Sequence, residues 1–379
     1  MLQQMHPINI IEVKNKEQIL KFIQFPLDLY KDNPYFVPSL IKDEREIWDK
    51  EKNPIYKSAE AKQFLAYKNN EIVGRIAVMI NHLETEVIHE KKVRFGWLDF
   101  IDDENVSKAL IDEAIKFAKT HEAKLIEGPM GFTNLDKSGM LTKGFDELAT
   151  MIGLYNFPYY PEHLQKLGMK DGKIWVEFSI NFPEVLSEKV EKFSKLIAEK
   201  YKLRVLNFKS KKEILPHVDA MFQLLDDTYK TLSTYTPISK EQIQTYKEKY
   251  FPFIAKNYVI CIVDDQNELV AFAVTMPSYS KALQKSKGKI FPFGWYHFLQ
   301  AERKNDRANF YLIGIHPEYQ RRGVTAIIFK EIYLRFNKMG IKFAETNPDL
   351  EENKSVQVLW QDYNPVLHKK RQTFVLNLD

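Results

Sequence analysis

The chain has 379 residues, 44% of them apolar and 28% charged, which is enough for two domains that each bury a core. A net charge of +4 is too small to leave the basic footprint of a nucleic-acid binder, and no apolar run approaches the roughly 18–20 residues that cross a bilayer. The single cysteine, Cys261, rules out an internal disulfide, and the nine scattered histidines show no metal-ligand spacing.

The start, M-L-Q-Q-M-H-P, has no basic region followed by an apolar core, so a reducing cytoplasm is expected. Pro7–Val13 reads as a strand, Lys16–Leu29 as a helix with Ile19, Phe22 and Ile23 on one face, and the region Ile41–Lys50 as a second helix. Gln63–Tyr67 and Ile72–Ile80 flank the polar turn Lys68–Glu71, which is a hairpin signal. Phe95–Ile101 is a strand, Ser107–Lys119 a helix and Leu125–Gly128 a short strand. Pro129–Tyr160, with Gly131, Gly139, Gly144, Gly153 and Pro158, reads as loop. Pro161–Leu167 reads as a helix, Lys173–Ile180 as a strand, and Pro183 with the charged run after it as a boundary, giving domains 1–182 and 183–379. Tyr155, Phe157, Tyr159 and Tyr160 would either join the halves or line a pocket between them.

The second half repeats the order. Leu203–Phe208 is a strand, Ile214–Tyr229 and Lys240–Tyr250 are helices, and Tyr258–Val263 with Leu269–Met276 form a hairpin around Asp264–Asn267. After the inserted stretch Pro277–Ala308 comes a strand, Asn309–Ile315, closed by Pro317. From Val324 the period changes to that of an amphipathic helix through Ile328, Ile332 and Phe336. Lys342–Thr346, Glu352–Tyr363 and Arg371–Leu378 read as strand, helix and closing strand. Lysine clusters at 281, 285, 287 and 289, and Lys369–Arg371, are expected to be solvated faces or to steer an anionic cofactor.

The junction Gln320-Arg321-Arg322-Gly323-Val324-Thr325 bears on chemistry. A first helical turn has unpartnered N–H groups and the positive end of the helix dipole, and Gly323 lets a ligand approach the main chain. A phosphate suits it; the plainer alternative is a tight turn with two solvated arginines. Q-R-R-G-V-T, behind the strand and turn I-G-I-H-P-E-Y, resembles the Q/R-x-x-G-x-G/A signature of the GNAT superfamily of acyl-CoA N-acyltransferases, with Thr325 where glycine or alanine is usual.

The resemblance implies an α/β chain of two tandem GNAT-like domains, each a mixed, mostly antiparallel sheet flanked by helices. It implies that acetyl-CoA or another acyl-CoA binds as co-substrate, its pyrophosphate on the amides of Arg321, Arg322, Gly323, Val324 and Thr325 beside Gln320, its pantetheine arm along Ile313, Gly314 and Ile315. Over nearly its whole length the chain resembles a group of bacterial tandem-GNAT proteins, on the stretches Gly128–Asp146, Tyr155–Met169 and Pro277–Gly294. The equivalent turn of the first half, Phe100–Asn105, lacks glycine and arginine and carries three acids, so that domain is expected to be degenerate and not to bind CoA.

Transfer to an amine needs a proton acceptor and a donor for the departing thiolate. Glu345, at the end of its strand, is the candidate base; its alternative is a structural carboxylate. In the helix N-K-S-V-Q-V-L-W, the position of the superfamily's acidic tyrosine is Trp360, so Tyr363, three residues on, becomes the candidate acid. Asn353 matches the superfamily's helix asparagine and is a candidate cofactor ligand or a plain cap. No metal is expected. The acceptor is a small-molecule or peptide amine, with no nucleic-acid or membrane partner. Two other readings stay open: a catalytically silent CoA-binding or interaction protein, and a transferase using aminoacyl-tRNA.

Overall fold

The computed structural model describes residues 7–182, 185–229, 235–353 and 363–378. It forms two compact units, one of Met1–Val176, Ser280–His297 and Lys369–Asp379, the other of Glu177–Tyr279 and Phe298–His368. The division is therefore less simple than the expected break at 182/183. It falls inside a long strand, and the last strand of the chain belongs mainly to the first unit.

The first unit runs β1 (Asn9–Glu12), α1 (Lys16–Leu29), α2 (Ile41–Ile47), β2 (Ala59–Lys68), β3 (Glu71–Asn81), α3 (His82–Ile88), β4 (Lys92–Phe100), α4 (Glu104–Thr120), β5 (Leu125–Gly128), β6 (Met140–Lys143), α5 (Tyr159–Lys166) and β7 (Lys170–Asn181). Asn15 caps α1 by accepting the Gln18 N–H. Asn69 and Asn70, both at positive φ, close the β2–β3 hairpin, as two central residues of a type I′ turn do. Strands β1 to β4 pair antiparallel, and β4 with β5 parallel. Leu110, Ala114 and Phe117 of α4 pack with Val78, Phe95 and Ile126, while Phe22, Ile23 and Trp48 form a separate cluster with Leu65, Ala77 and Met79.

The closing strand β14 (Val366–Asn377) pairs with β5, Leu376 opposite Ile126. The expected Lys369–Arg371 surface run is corrected by this placement. Lys369 and Arg371 are each 1% exposed, and they cap the loop read above as structureless, Lys369 Nζ donating to the Leu148 carbonyl at 2.8 Å and Arg371 to that of Leu154. Buried cations are tolerated there because they satisfy carbonyls that β6 and α5 leave unpaired. The tyrosine set is likewise internal to this unit: Tyr160 is fully buried, its hydroxyl 2.9 Å from that of Tyr30.

In the second unit come α6 (Glu188–Lys200), β8 (Arg204–Val205), α7 (Val218–Tyr229), α8 (Lys240–Tyr250), β9 (Val259–Val263) and β10 (Leu269–Pro277). After α9 (Ser280–Ser286) and α10 (Gly294–Arg303) follow β11 (Arg307–Ile315), α11 (Thr325–Met339), β12 (Phe343–Glu345) and β13 (Asp349–Leu350). The sheet order is β12-β11-β10-β9-β8, with Ser179–Asn181 of β7 antiparallel to β12. Ile327, Ile328, Ile332 and Phe336 of α11 bury against Ile260, Ala271, Ala273 and Phe310. The helix expected over Ile214–Tyr229 begins as a 3-10 turn, Lys211–His217, because Pro216 cannot donate to an α-helical ladder. The charged run taken as a boundary holds α6, whose Ile197 joins the core. Most of the helix expected over Glu352–Tyr363 lies outside the described residues.

Candidate functional site

The site is built where β11 parts from its neighbour. Parallel pairing with β12 lasts only from Arg307↔Phe343 to Asn309↔Glu345, while β11 continues to Ile315. On its other side, the register with β10 slips between Val274 and Thr275, so that Tyr311 has no partner position. A bulge of this kind bends and twists a strand. Pairing with β12 ends at Asn309 while β11 runs on to Ile315, and an extended ligand can add to a strand where sheet pairing stops. Asn347, just past β12, reaches back to donate Nδ2 to the Tyr311 carbonyl, and its Oδ1 is buried with no hydrogen-bond partner among the described residues.

Ile313 and Ile315 pack onto the α11 core, opposite Ala273 and Ala271. Gly314 lies against Phe272; a Cβ would stand 2.5 Å from its ring. Gln320 Nε2 donates to the Ile315 carbonyl at 3.3 Å and so ties the end of the strand to the turn. In the turn itself Arg321 (φ +60) and Gly323 (φ +82) are both left-handed. Arg322 donates its N–H to the Tyr319 carbonyl at 3.2 Å, and Ala326 and Ile327 donate to Gly323 and Val324. The N–H groups of Arg321, Gly323, Val324 and Thr325 have no acceptor among the described residues. The Arg322 guanidinium sits 5.5 Å from the ring centres of Tyr201 and Tyr319, a charge held in place by two aromatic faces. Free amides and a fixed cation at a helix start suit a phosphate group, so the residues present fit the pyrophosphate of an acyl-CoA.

Glu345 is last in β12, at the point of divergence, its side chain 13% exposed. Its Oε2 lies 3.8 Å from Nε2 of His368, which is 7% exposed and enters from the start of β14. The pairing of a carboxylate with an imidazole was not foreseen, because it depends on a strand that begins after the undescribed stretch. Asn353 follows a turn in which its N–H donates to Leu350 at 2.8 Å. Tyr363 is 8% exposed and packs with Phe329 and Phe182, ring centres 5.2 and 5.9 Å away. Trp360 lies outside the described residues. Tyr229, at the end of α7, is another group the sequence did not single out: burial first, then the charge of Asp349, push its hydroxyl well above the usual range.

The first unit treats the equivalent turn differently. Asp103 caps α4 by accepting the Asn105 N–H at 2.9 Å, and it is paired with Lys68 at 2.7 Å. A carboxylate of the chain itself thus occupies the N-terminus of α4. Ser107, His163 and Asp102 form a nearby chain of 3.0 Å hydrogen bonds. The serine is 1% exposed and donates to the Glu104 carbonyl, whereas the aspartate is largely solvated. This inverts what a nucleophilic serine needs, so the trio is structural.

No family model matches the chain. Protein YghO of Escherichia coli K12 is 26% identical over 317 residues, covering 83% of this chain and 80% of that protein. A protein named bacterial ceramide synthase, from Caulobacter vibrioides, is 21% identical over 293 residues, 76% of this chain and 74% of its own length. Among solved structures, a tandem GNAT protein from the clavulanic acid biosynthesis pathway aligns with a TM-score of 0.54 at 9% identity, covering 98% of each chain.

Proposed function

Starting from a chain with the tandem GNAT fold, we propose that its second unit transfers an acyl group from CoA to an amine. The observation that supports this best is that the N–H groups of Arg321, Gly323, Val324 and Thr325 have no acceptor among the described residues, in a turn that follows the strand whose β12 pairing ends at Asn309. In this reading the pyrophosphate rests on the turn and the thioester lies along β11. The neutral amine attacks the thioester carbonyl, a C–N bond forms, the C–S bond breaks, and CoA leaves as a thiolate. The proton lost by nitrogen passes to Glu345, whose neighbour His368 helps hold it in place, and the thiolate is protonated in turn. Tyr363→Phe tests that tyrosine as the donor; its packing against Phe329 makes stability the necessary control.

Calorimetry with acetyl-CoA and a long-chain acyl-CoA tests the cofactor half. The wild type is expected to bind in the micromolar range, about −8 kcal/mol, and Arg322→Ala with Gly323→Glu to abolish it. No binding of any acyl-CoA by the wild type would defeat the reading. Release of free thiol with a panel of amines then tests transfer. The Caulobacter relative's name directs that panel to long-chain amino alcohols beside short amines and peptides. Binding without thiol release would favour a silent CoA-binding protein.

A further inference from the structure

The segment between β10 and β11 carries a surface that acyl transfer does not use. No acidic residue occurs from Ser278 to Ala301, while Lys281, Lys285, Lys287 and Lys289 are all exposed. Next to them Phe291 is 77% and Phe293 76% exposed, with Trp295 at 44% and Tyr296 at 50%. Two phenylalanines side by side in water are costly, so the question is what covers them.

They are not loose. Gln284 donates Nε2 to the carbonyls of Pro34 and Phe36, at 2.8 and 2.9 Å, and the Ile41 N–H donates to the Gly288 carbonyl at 3.0 Å. Trp295 donates its main-chain N–H to Ile290 at 2.8 Å and its indole N–H to Pro292 at 2.9 Å. The aromatic rings are thus presented outward by a tied-down scaffold. Charged neighbours come from α2, where Glu44 is engaged by the Trp97 indole and Glu46 lies 3.7 Å from Lys42. Asp43 and Arg45 complete that helix's charges, leaving the lysine excess dominant.

We propose that this face of the first unit docks on an anionic lipid bilayer, its aromatic tip entering the headgroup region and its lysines contacting lipid phosphates. Exposed Trp, Tyr and Phe beside lysines are the composition of an interfacial anchor. A second copy of the chain fits less well, since a two-fold contact would set lysines against lysines. No helix of the described residues is long and apolar enough to cross a membrane, and the expectation of no membrane partner rested on such spans. Docking at the surface needs none.

Flotation of the full chain with phosphatidylcholine vesicles, with and without phosphatidylglycerol, tests the proposal. Wild type is expected to float only with the anionic lipid. Phe291→Ala with Phe293→Ala is expected to lower the partition coefficient at least about tenfold, and Lys285→Glu with Lys287→Glu by about tenfold or more. Trp295 emission should be quenched by brominated lipid, and the quenching lost in Trp295→Phe. These residues are exposed, so circular dichroism and melting should match wild type. Failure to float with either lipid, or equal flotation of all variants, would overturn the proposal. So would a dimer seen by light scattering that Phe291→Ala with Phe293→Ala dissolves, which would assign the face to a second copy. Vesicle binding is read without acyl-CoA, so its outcome is independent of the transfer reaction.

Discussion

Gly323→Ala isolates the cost of the left-handed turn that positions the free amides. An L-residue at φ +82 costs about 1–2 kcal/mol. A Cβ would also lie 2.9 Å from Cε1 and Cζ of Phe193 and 3.3 Å from Cδ1 of Ile197. Phe193 is 46% exposed, so its ring can swing toward solvent, and a few tenths of an ångström suffice at Ile197. The backbone contribution should therefore dominate. At roughly 2–4 °C per kcal/mol for units of this size, the melting midpoint of the full chain should fall by about 2–8 °C. The decisive comparison repeats the substitution in a Phe193→Ala background. The cost should be the same within about 0.5 kcal/mol. If Phe193→Ala removes it, crowding by α6 rather than backbone conformation explains the glycine, and the reasoning about the turn is wrong.

Glu84→Ala should destabilise the first unit by about 3–5 kcal/mol, because Glu84 holds Arg94 with two 2.7 Å contacts and Lys92 with a third; chemical denaturation measures this. Burial alone would raise the Glu84 carboxyl, but Arg94 and Lys92 outweigh it and hold it below its ordinary 4.5. Its contribution is thus complete above pH 4.5 and lost as pH falls through the lower folded value, so the stability gap between wild type and Glu84→Gln should close in that acid range. Burial pushes the Cys261 thiol up to about 12, so it should resist a thiol reagent at pH 8 until the chain is unfolded; rapid labelling of native protein would contradict its place in β9. Glu345→Gln should lower the transfer rate at least about tenfold while leaving the calorimetric affinity for acyl-CoA unchanged; an equal loss of affinity would make Glu345 a structural carboxylate.

Local signals made much of this fold legible. Lys16–Leu29 and Lys240–Tyr250 match in full, the first opened by the Asn15 cap, the second by the capping box of Ser239 and Gln242. The strand–turn–helix junction at Gly323 was legible because strand, glycine and helix are contiguous in the chain. What escaped depends on tertiary partners. The helix α6 carries Val190, Phe193, Leu196 and Ile197 at helical spacing, but the charges between them resemble a solvated run, and only its packing places Ile197 in the core. Strand β14 has the alternation of any closing strand, and nothing local says that it will pair with β5. Its placement in turn buries Lys369 and Arg371 and brings His368 beside Glu345. The end of β11–β12 pairing at Asn309 has no local signal either, since pairing length is set by the whole sheet.

Amide hydrogen exchange with and without CoA tests the central claim most directly. The account predicts that peptides covering 321–325 exchange more slowly with CoA bound, while those covering 103–107, where Asp103 already serves as the anion, stay unchanged. Unchanged exchange at 321–325 under saturating CoA, or protection at 103–107 instead, would contradict it.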